Sequence, residues 1–302
     1  MSTIEKAMDK LGKQDGADQA AEDANQTAQA PEQSQDGDRP GASGAADRAA
    51  AGGIAEAGET VRLDFSRFPN STVIDPRAEH TSGLAEEFRH IKRPLLLNVQ
   101  GRGATLVENP NLIMVTSSLA GEGKTFTAIN LALSIATELD KTVLLADADV
   151  AKPDVGAMLG VRAEKGLIDV LLGDVRVPDV LLRTDIPNLT LLPAGRRHPH
   201  ANELLASDSM RLLAQELSSR YADRIVVFDS PPLLLTSEAR VLAGLMGQIV
   251  LVIEESRTLQ PVVKEALSML DSSEIVGLVL NKKRARSAGG YYGGYGYYGY
   301  GR

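Results

Sequence analysis

Thr116-Ser117-Ser118-Leu119-Ala120-Gly121-Glu122-Gly123-Lys124-Thr125 decides the fold. It follows an apolar run of strand length, Leu112–Thr116, and leads into a helix-patterned stretch, Thr125–Leu139. Against the pattern G-x-x-x-x-G-K-[ST], only the opening glycine differs, replaced by Ser118. Gly121 and Gly123 allow backbone N–H groups to converge on phosphate oxygens, and the N-terminus of the following helix adds its positive dipole end. The residues expected to cradle a nucleotide are therefore Ala120, Gly121, Glu122, Gly123, Lys124, Thr125 and Phe126. Lys124 is expected to bridge the terminal phosphates, and the Thr125 hydroxyl to ligate Mg²⁺.

Outward from this loop, strand-length apolar runs alternate with helical segments. The further strand candidates are Thr142–Ala146, Leu189–Leu192, Ile225–Phe228, Ile249–Ile253 and Ile275–Leu280. The helical candidates are Leu84–Leu97 (interrupted by Pro94), Gly166–Leu172, Ser209–Tyr221, Ser237–Met246 and Pro261–Leu270. Strands apolar throughout, alternating with helices, predict an α/β fold: a mainly parallel sheet with helices on both faces. Ligands in such sheets bind beyond the carboxyl ends of the strands. Two more strands end in acids there. One is Val143-Leu144-Leu145-Ala146-Asp147-Ala148-Asp149, and the other is Ile225-Val226-Val227-Phe228-Asp229-Ser230-Pro231-Pro232. An acid at one strand end often only caps a helix, but three acids at two strand ends beside a phosphate loop point to chemistry. Asp147 and Asp149 are candidates to hold metal or accept a proton from an attacking hydroxyl, and Asp229, with Thr125 and Asp147, to hold Mg²⁺.

Composition divides the chain. Residues 1–60 carry 12 acidic and 5 basic side chains out of 40 and 32, so most of the net charge of −8 lies there. That segment holds fifteen alanines, eight glycines and few larger apolar groups, which is too little to offset the entropy of ordering. We expect residues 1–60 to be disordered, 61–80 to be a linker, 81–288 to be the catalytic domain and 289–302 a flexible tail. Cysteine is absent, which excludes disulfides, thiolate metal sites and a cysteine nucleophile. The longest apolar runs fall well short of the ~18 residues of a membrane span. Glu5, Lys6, Asp9 and Lys10 stand where a signal peptide would be apolar. A cytoplasmic protein is expected. The near-neutral body argues against a broad nucleic-acid surface, and His198-Pro199-His200 with Arg196 and Arg197 reads as an exposed loop.

The chain has five Phe, seven Tyr and no Trp, and six of the tyrosines occupy the last twelve residues: Tyr291, Tyr292, Tyr295, Tyr297, Tyr298 and Tyr300. Phosphate loop, D-x-D strand, D-x-P-P strand and tyrosine-rich tail together resemble the bacterial tyrosine kinases of polysaccharide export, relatives of the MinD/ParA ATPases. The similarity spans roughly residues 80–302 and is strongest to the tyrosine autokinases of exosortase-A loci. Glu86, Arg89 and Lys92 resemble the family's E-x-x-R-x-x-R oligomer-interface motif, with lysine in place of the last arginine. Asn202-Glu203-Leu204-Leu205 after Pro193-Ala194-Gly195 also matches.

The resemblance implies an ATP- and Mg²⁺-dependent autokinase with Lys124, Asp147 and Asp149 catalytic and the six tail tyrosines as phosphoacceptors. It further implies a homo-oligomer regulating polysaccharide export, recruited to the plasma membrane by a separate chain-length-determinant partner that can supply an activating segment. Two departures matter. Ala151, followed by Lys152, stands where the family has arginine, and Arg284 replaces the aspartate of a guanine-reading N-K-x-D, which favours ATP over GTP. The competing reading is a MinD/ParA-like positioning ATPase without kinase activity.

Overall fold

A computed structural model describes residues 60–68, 72–78, 82–103, 107–220, 223–270 and 275–283. Tyr221, Arg284 and the six tail tyrosines lie outside the described residues.

Among the described residues the first helix is α1, Gly83–Val99, capped by the Ser82 hydroxyl. It then alternates: β1 Leu112–Ser117, α2 Lys124–Ala136, β2 Thr142–Asp147, α3 Val155–Leu159, α4 Leu167–Leu171, β3 Leu182–Arg183 and β4 Leu189–Leu192. The second half continues with α5 Ala201–Leu205, α6 Asp208–Ser219, β5 Arg224–Asp229, α7 Ser237–Ala243, β6 Gln248–Glu254, α8 Gln260–Ser268 and β7 Ile275–Asn281. The strands form one seven-stranded sheet in the order β3-β4-β2-β5-β1-β6-β7. All pairings are parallel except that of β3 with β4.

Period-two alternation along the central strands feeds two cores. Leu112, Met114, Leu144, Ala146, Val226, Phe228, Ile249 and Leu251 face the side covered by α4 to α8. Ile113, Val115, Val143, Leu145, Ile225, Val227, Val250 and Val252 face α1 and α2. Burial on both faces explains why these strands read as unbroken apolar runs.

Three stretches differ from expectation. The stretch expected as a linker packs Leu63, Phe68 and Ile74 into the α2 side of the core. Val61 extends the sheet edge, donating to Arg183 O at 2.9 Å and accepting from Asp185 N at 3.0 Å. Pro94 does not interrupt α1, which runs through it. The one backbone hydrogen bond that proline removes is tolerated because the helix is docked on both sides of it. Phe88 and Lys92 are buried before it and Leu95 after it, and the buried Gln248 side chain donates to Leu95 O at 3.2 Å and accepts from Asn98 at 2.7 Å.

Lys92, expected on an oligomer interface, is instead turned inward and 4% exposed. Its ammonium caps the C-terminus of α2, donating to Ser134 O at 2.5 Å and Thr137 Oγ1 at 3.1 Å and pairing with Glu138 at 2.7 Å. Cations are favoured at this negative dipole end. Glu86 and Arg89 are exposed and paired with each other. We predict that Lys92→Met, which removes the bonds to Ser134 O and Thr137 Oγ1 and leaves Glu138 without this partner, costs about 1–3 kcal/mol. The melting temperature should fall by roughly 3–10 °C, with no change of oligomeric state in gel filtration.

Candidate functional site

The site is assembled where β1, β2 and β5, neighbours in the sheet, end together. Gly121 (φ 86°) and Gly123 (φ 97°) turn the chain from β1 into α2 through left-handed backbone. At Gly123 a Cβ would also lie 2.1 Å from Asn281 Nδ2, so only glycine fits. The first turn of α2 begins with Thr127 N–H to Gly123 O at 3.0 Å. The N–H groups of Lys124, Thr125 and Phe126 are therefore left at the helix mouth. Phe126 contributes nothing more to the site: its ring turns away to pack on Phe68 and Phe88.

Lys124 is buried and sits between carboxylates. Its Nζ lies 2.6 Å from Asp149 Oδ2, 3.5 Å from Asp229 Oδ1 and 3.3 Å from Thr125 Oγ1. Burial disfavours its charge, but Asp229 and Asp149 outweigh that and hold the ammonium above the ordinary lysine range. Asp147 and Asp229 face each other in the parallel register of β2 and β5. Burial first, and then the nearby Asp229 charge, push Asp147 well above the usual carboxylate range. Burial raises Asp229 to about 6 despite the opposing pull of Lys124.

Among the described residues, the buried side-chain atoms without a hydrogen-bond partner are Ser118 Oγ, Asp147 Oδ1 and Asp229 Oδ2. All three line this one site. Buried polar groups are normally satisfied, so these orphaned oxygens fit a ligand rich in charge and hydrogen-bonding capacity. No cluster of three or more His, Cys, Asp or Glu able to hold a metal occurs among the described residues. That donor set fits Mg²⁺, which is commonly held by one or two protein groups together with phosphate oxygens and water. Thr125 and one free carboxylate oxygen meet that need.

Several contacts at the site were not expected. Glu122 turns its carboxylate inward, accepting from Leu119 N at 2.7 Å and from the Thr258 hydroxyl, so it shapes the loop from within. Asn281 Nδ2 donates to Glu122 O at 2.9 Å, and Lys282 Nζ bridges Gly121 O at 2.5 Å and Glu254 at 3.1 Å. The Asn281-Lys282 pair opens the N-K-x-R sequence in which Arg284 breaks the base-reading pattern. Here it clasps the phosphate loop. Lys152, beside the unusual Ala151, has an 80% exposed side chain paired with Asp154, so it points away from Lys124 and its partners. The His198 and His200 rings lie 5.9 Å apart and tilted on an outer loop, and Arg196 pairs with Asp169 and Asp174.

Doubly wound sheet, phosphate loop and convergent strand-end acids define a nucleotide-binding protein of the P-loop class. A family model described as an AAA domain matches residues 111–263. The chain is 35% identical over 185 residues to the tyrosine-protein kinase YwqD of Bacillus subtilis, covering 60% of this chain and 77% of that protein. It is 33% identical to the tyrosine-protein kinase wzc of Salmonella typhi, covering 63% of this chain, and 32% identical to the succinoglycan biosynthesis transport protein ExoP of Rhizobium meliloti, covering 76%. It spans only 26% and 28% of those two longer relatives. Among solved structures, the chimerical protein CapA2B2 aligns with a TM-score of 0.59 at 25% identity, covering 70% of this chain and 89% of that one. The kinase domain of the Escherichia coli tyrosine kinase ETK aligns with a TM-score of 0.56 at 26% identity, covering 69% and 80%. The chain belongs to the bacterial tyrosine-protein kinase family.

The buried acids give a pH prediction. A carboxyl whose folded pKa lies above its unfolded value of 3.8 stabilises the fold fully only below that value. This contribution is lost as pH rises through the folded pKa, about 6 for Asp229. Asp147→Asn keeps an acceptor for Val155 N–H, which lies 3.1 Å from Asp147 Oδ2, and removes the charge. At pH 7.5 without nucleotide, the variant should melt about 2–6 °C higher than the parent chain. This advantage should shrink as the pH approaches about 4. Melting curves across pH check it.

Proposed function

We propose that the chain is an ATP-dependent tyrosine autokinase that phosphorylates its own tyrosines Tyr291, Tyr292, Tyr295, Tyr297, Tyr298 and Tyr300. The observation that carries this reading is the clasp of Asn281 and Lys282 on the phosphate loop. The backbone leading to the tyrosine cluster leaves the described fold beside the nucleotide site.

The chemistry requires little covalent participation from the protein. Lys124 and the N–H groups at the mouth of α2 would stabilise charge on the phosphoryl oxygens. Asp149 holds the Lys124 ammonium in place. Thr125 and Asp229 would hold Mg²⁺, which when bound neutralises phosphate charge and polarises the transferred group. Asp147, with its unshared Oδ1, is the group suited to accept the phenolic proton.

From β7 to β2 the sheet crosses four strand spacings, about 19 Å. The eight residues from Lys283 to Tyr291 reach at most about 28 Å. Length therefore permits transfer within a chain and between chains, and the family resemblance favours the second. In this reading Glu86 and Arg89 are available to an assembly of identical subunits. Each phosphotyrosine adds about −1.5 to −2 charges, so repulsion between modified tails would loosen that assembly. Such cycling would control polysaccharide chain length and export through a separate membrane partner; one relative, ExoP, is named as a succinoglycan biosynthesis transport protein. No helix among the described residues is long and apolar enough to cross a membrane.

Incubation with Mg²⁺ and γ-labelled ATP tests the reading. Label should appear on residues 291–300 and vanish in Lys124→Met. ATP hydrolysis without protein-bound label would instead identify a positioning ATPase. Mixing Lys124→Met chains with active chains truncated after residue 288 should transfer label to the inactive chain. Co-assembly without transfer would exclude the route between subunits.

A further inference from the structure

We infer that the open edge of β7, with the groove beside it, receives the chain's own segment 291–300 as an added antiparallel strand. The docking stands without the kinase reading; only its reversal by phosphorylation rests on that reading.

The two edges of the sheet differ. At one edge β3 is only two residues long, and Val61 bridges to Thr184 just beyond it. At the other, β7 runs for seven residues, Ile275 to Asn281, in unbroken register with β6. It contains no proline, charge or bulge, the devices that usually keep an edge from pairing. Ile275 N–H donates to Gly247 O at 3.5 Å, and Asn281 O accepts from Glu255 N–H at 2.9 Å, so the odd-numbered residues bond toward β6. Successive residues of a strand aim these groups to opposite sides. The N–H and C=O of Val276, Leu278 and Leu280 therefore face outward, where the sheet has no further strand.

Both faces beside this edge are apolar. Val279 packs toward α1 and α2, so Leu278 and Leu280 stand on the opposite face, 56% and 59% exposed. Between β7 and α1 lies a groove of about 1,090 Å³, walled by Leu84, Phe88 and Ile91 of α1 and Phe126 of α2. Glu87 and His90 line the same groove at exposed positions and supply hydrogen-bonding groups at its rim. An apolar slot with a polar rim suits phenol rings, which are apolar in the body and polar at the tip.

The segment fits in position, length and composition. The chain leaves β7 at Lys283, itself part of the groove wall. Residues 284–290, ending in Gly289-Gly290, exceed the roughly two to five residues that a hairpin reversal needs. The next ten residues would span about 33 Å as a strand, more than the roughly 23 Å of β7. Tyrosine favours strands. Period-two alternation puts Tyr295 and Tyr297 on one face of the added strand and Tyr298 and Tyr300 on the other. One pair then meets the groove below α1, and the other lies beside Leu278 and Leu280. Tethering also gives the segment an effective concentration that a second copy must match from solution. This favours the chain's own segment.

Direction gives the docking a consequence. A strand antiparallel to β7 runs away from the carboxyl ends of the sheet, so a docked segment is withheld from the phosphate loop. Phosphorylation would add about −1.5 to −2 charges to each ring. Those charges would be desolvated in an apolar groove, beside Glu87 and beside one another. Modified segments then stay free.

Amide hydrogen exchange on the full chain, phosphatase-treated and free of nucleotide, tests the docking. The comparison is a full chain carrying Tyr→Ser at 291, 292, 295, 297, 298 and 300. The amides of Val276, Leu278 and Leu280 should exchange about tenfold or more slowly in the parent chain, at every protein concentration. Equal exchange overturns the proposal. Protection that persists in the serine chain and rises with concentration assigns the edge to a second copy, which also overturns it. Leu278→Lys combined with Leu280→Lys, both at exposed positions, should free the amides of 291–300 while affinity for a fluorescent ATP analogue stays within about twofold. Undiminished protection of those amides in this variant counts against the edge as their seat and overturns the assignment. With Mg²⁺ and ATP, protection of β7 in the parent chain should vanish as label accumulates on the segment. Protection that survives full labelling overturns release by phosphorylation. If no label appears, the kinase reading fails alone, and the exchange comparison still decides the docking.

Discussion

A lysine ammonium enclosed by three carboxylates is the constraint on which the rest of the structure depends. Lys124, Asp149 and Asp229 are in direct contact, with Asp147 in register alongside, and all are nearly sealed from water. One positive charge cannot balance three negative ones in a medium of low dielectric, and burial raises the proton affinity of Asp147 and Asp229 above the usual carboxylate range. The same surplus of negative charge would repel a bare triphosphate. The charges of the residues themselves therefore favour nucleotide accompanied by a divalent cation. The sheet order makes this possible: β2, β5 and β1 lie side by side, so three separate segments deliver their acids and the phosphate loop to one spot.

The stability lost in concentrating these acids is recovered in the surrounding core. β1 and β5 are buried along their whole length, and β2 along all but its first residue. Helix α2 buries nearly every side chain while presenting its N-terminus to the site. So crowded a cluster of like charges persists only where such a frame over-determines it. The clasp from Asn281 and Lys282 extends the frame to the last strand. Lys282 takes a left-handed backbone (φ 57°) to make its contacts, a conformation unusual for lysine and sustained by tertiary bonds.

How much could be read from the residues in order depended on whether local pattern or distant contact set the outcome. The central strands were legible because burial on both faces leaves an unmistakable apolar run. The phosphate loop, D-x-D and D-x-P-P were legible because their chemistry needs fixed residue types at fixed spacing. The strand Leu182–Arg183 and the short helices Val155–Leu159 and Ala201–Leu205 carry too few residues to show a period. The packing of Leu63, Phe68 and Ile74 was hidden by sparse apolar content, since their partners are supplied by α2 and its neighbours. Lys92 could be aligned to a motif but not oriented, because only the fold shows that its side of α1 faces Ser134. The inward turn of Glu122 depends likewise on Thr258, more than a hundred residues away.

The placement of aromatic side chains links composition to catalysis. Four of the five phenylalanines, Phe65, Phe68, Phe88 and Phe126, form one chain of edge and tilted contacts over α2. The fifth, Phe228, is buried within β5. Outside the final twelve residues the sequence holds one tyrosine, Tyr221. In the proposed reading, a kinase acting on its own chain would face little competition from its own body, because its tyrosines are gathered at one end. The glycines between them supply no side chain to recognise. In the proposed reading, selection would therefore rest on delivery of a tyrosine ring to the acids at the ends of β2 and β5, not on the residues that flank it.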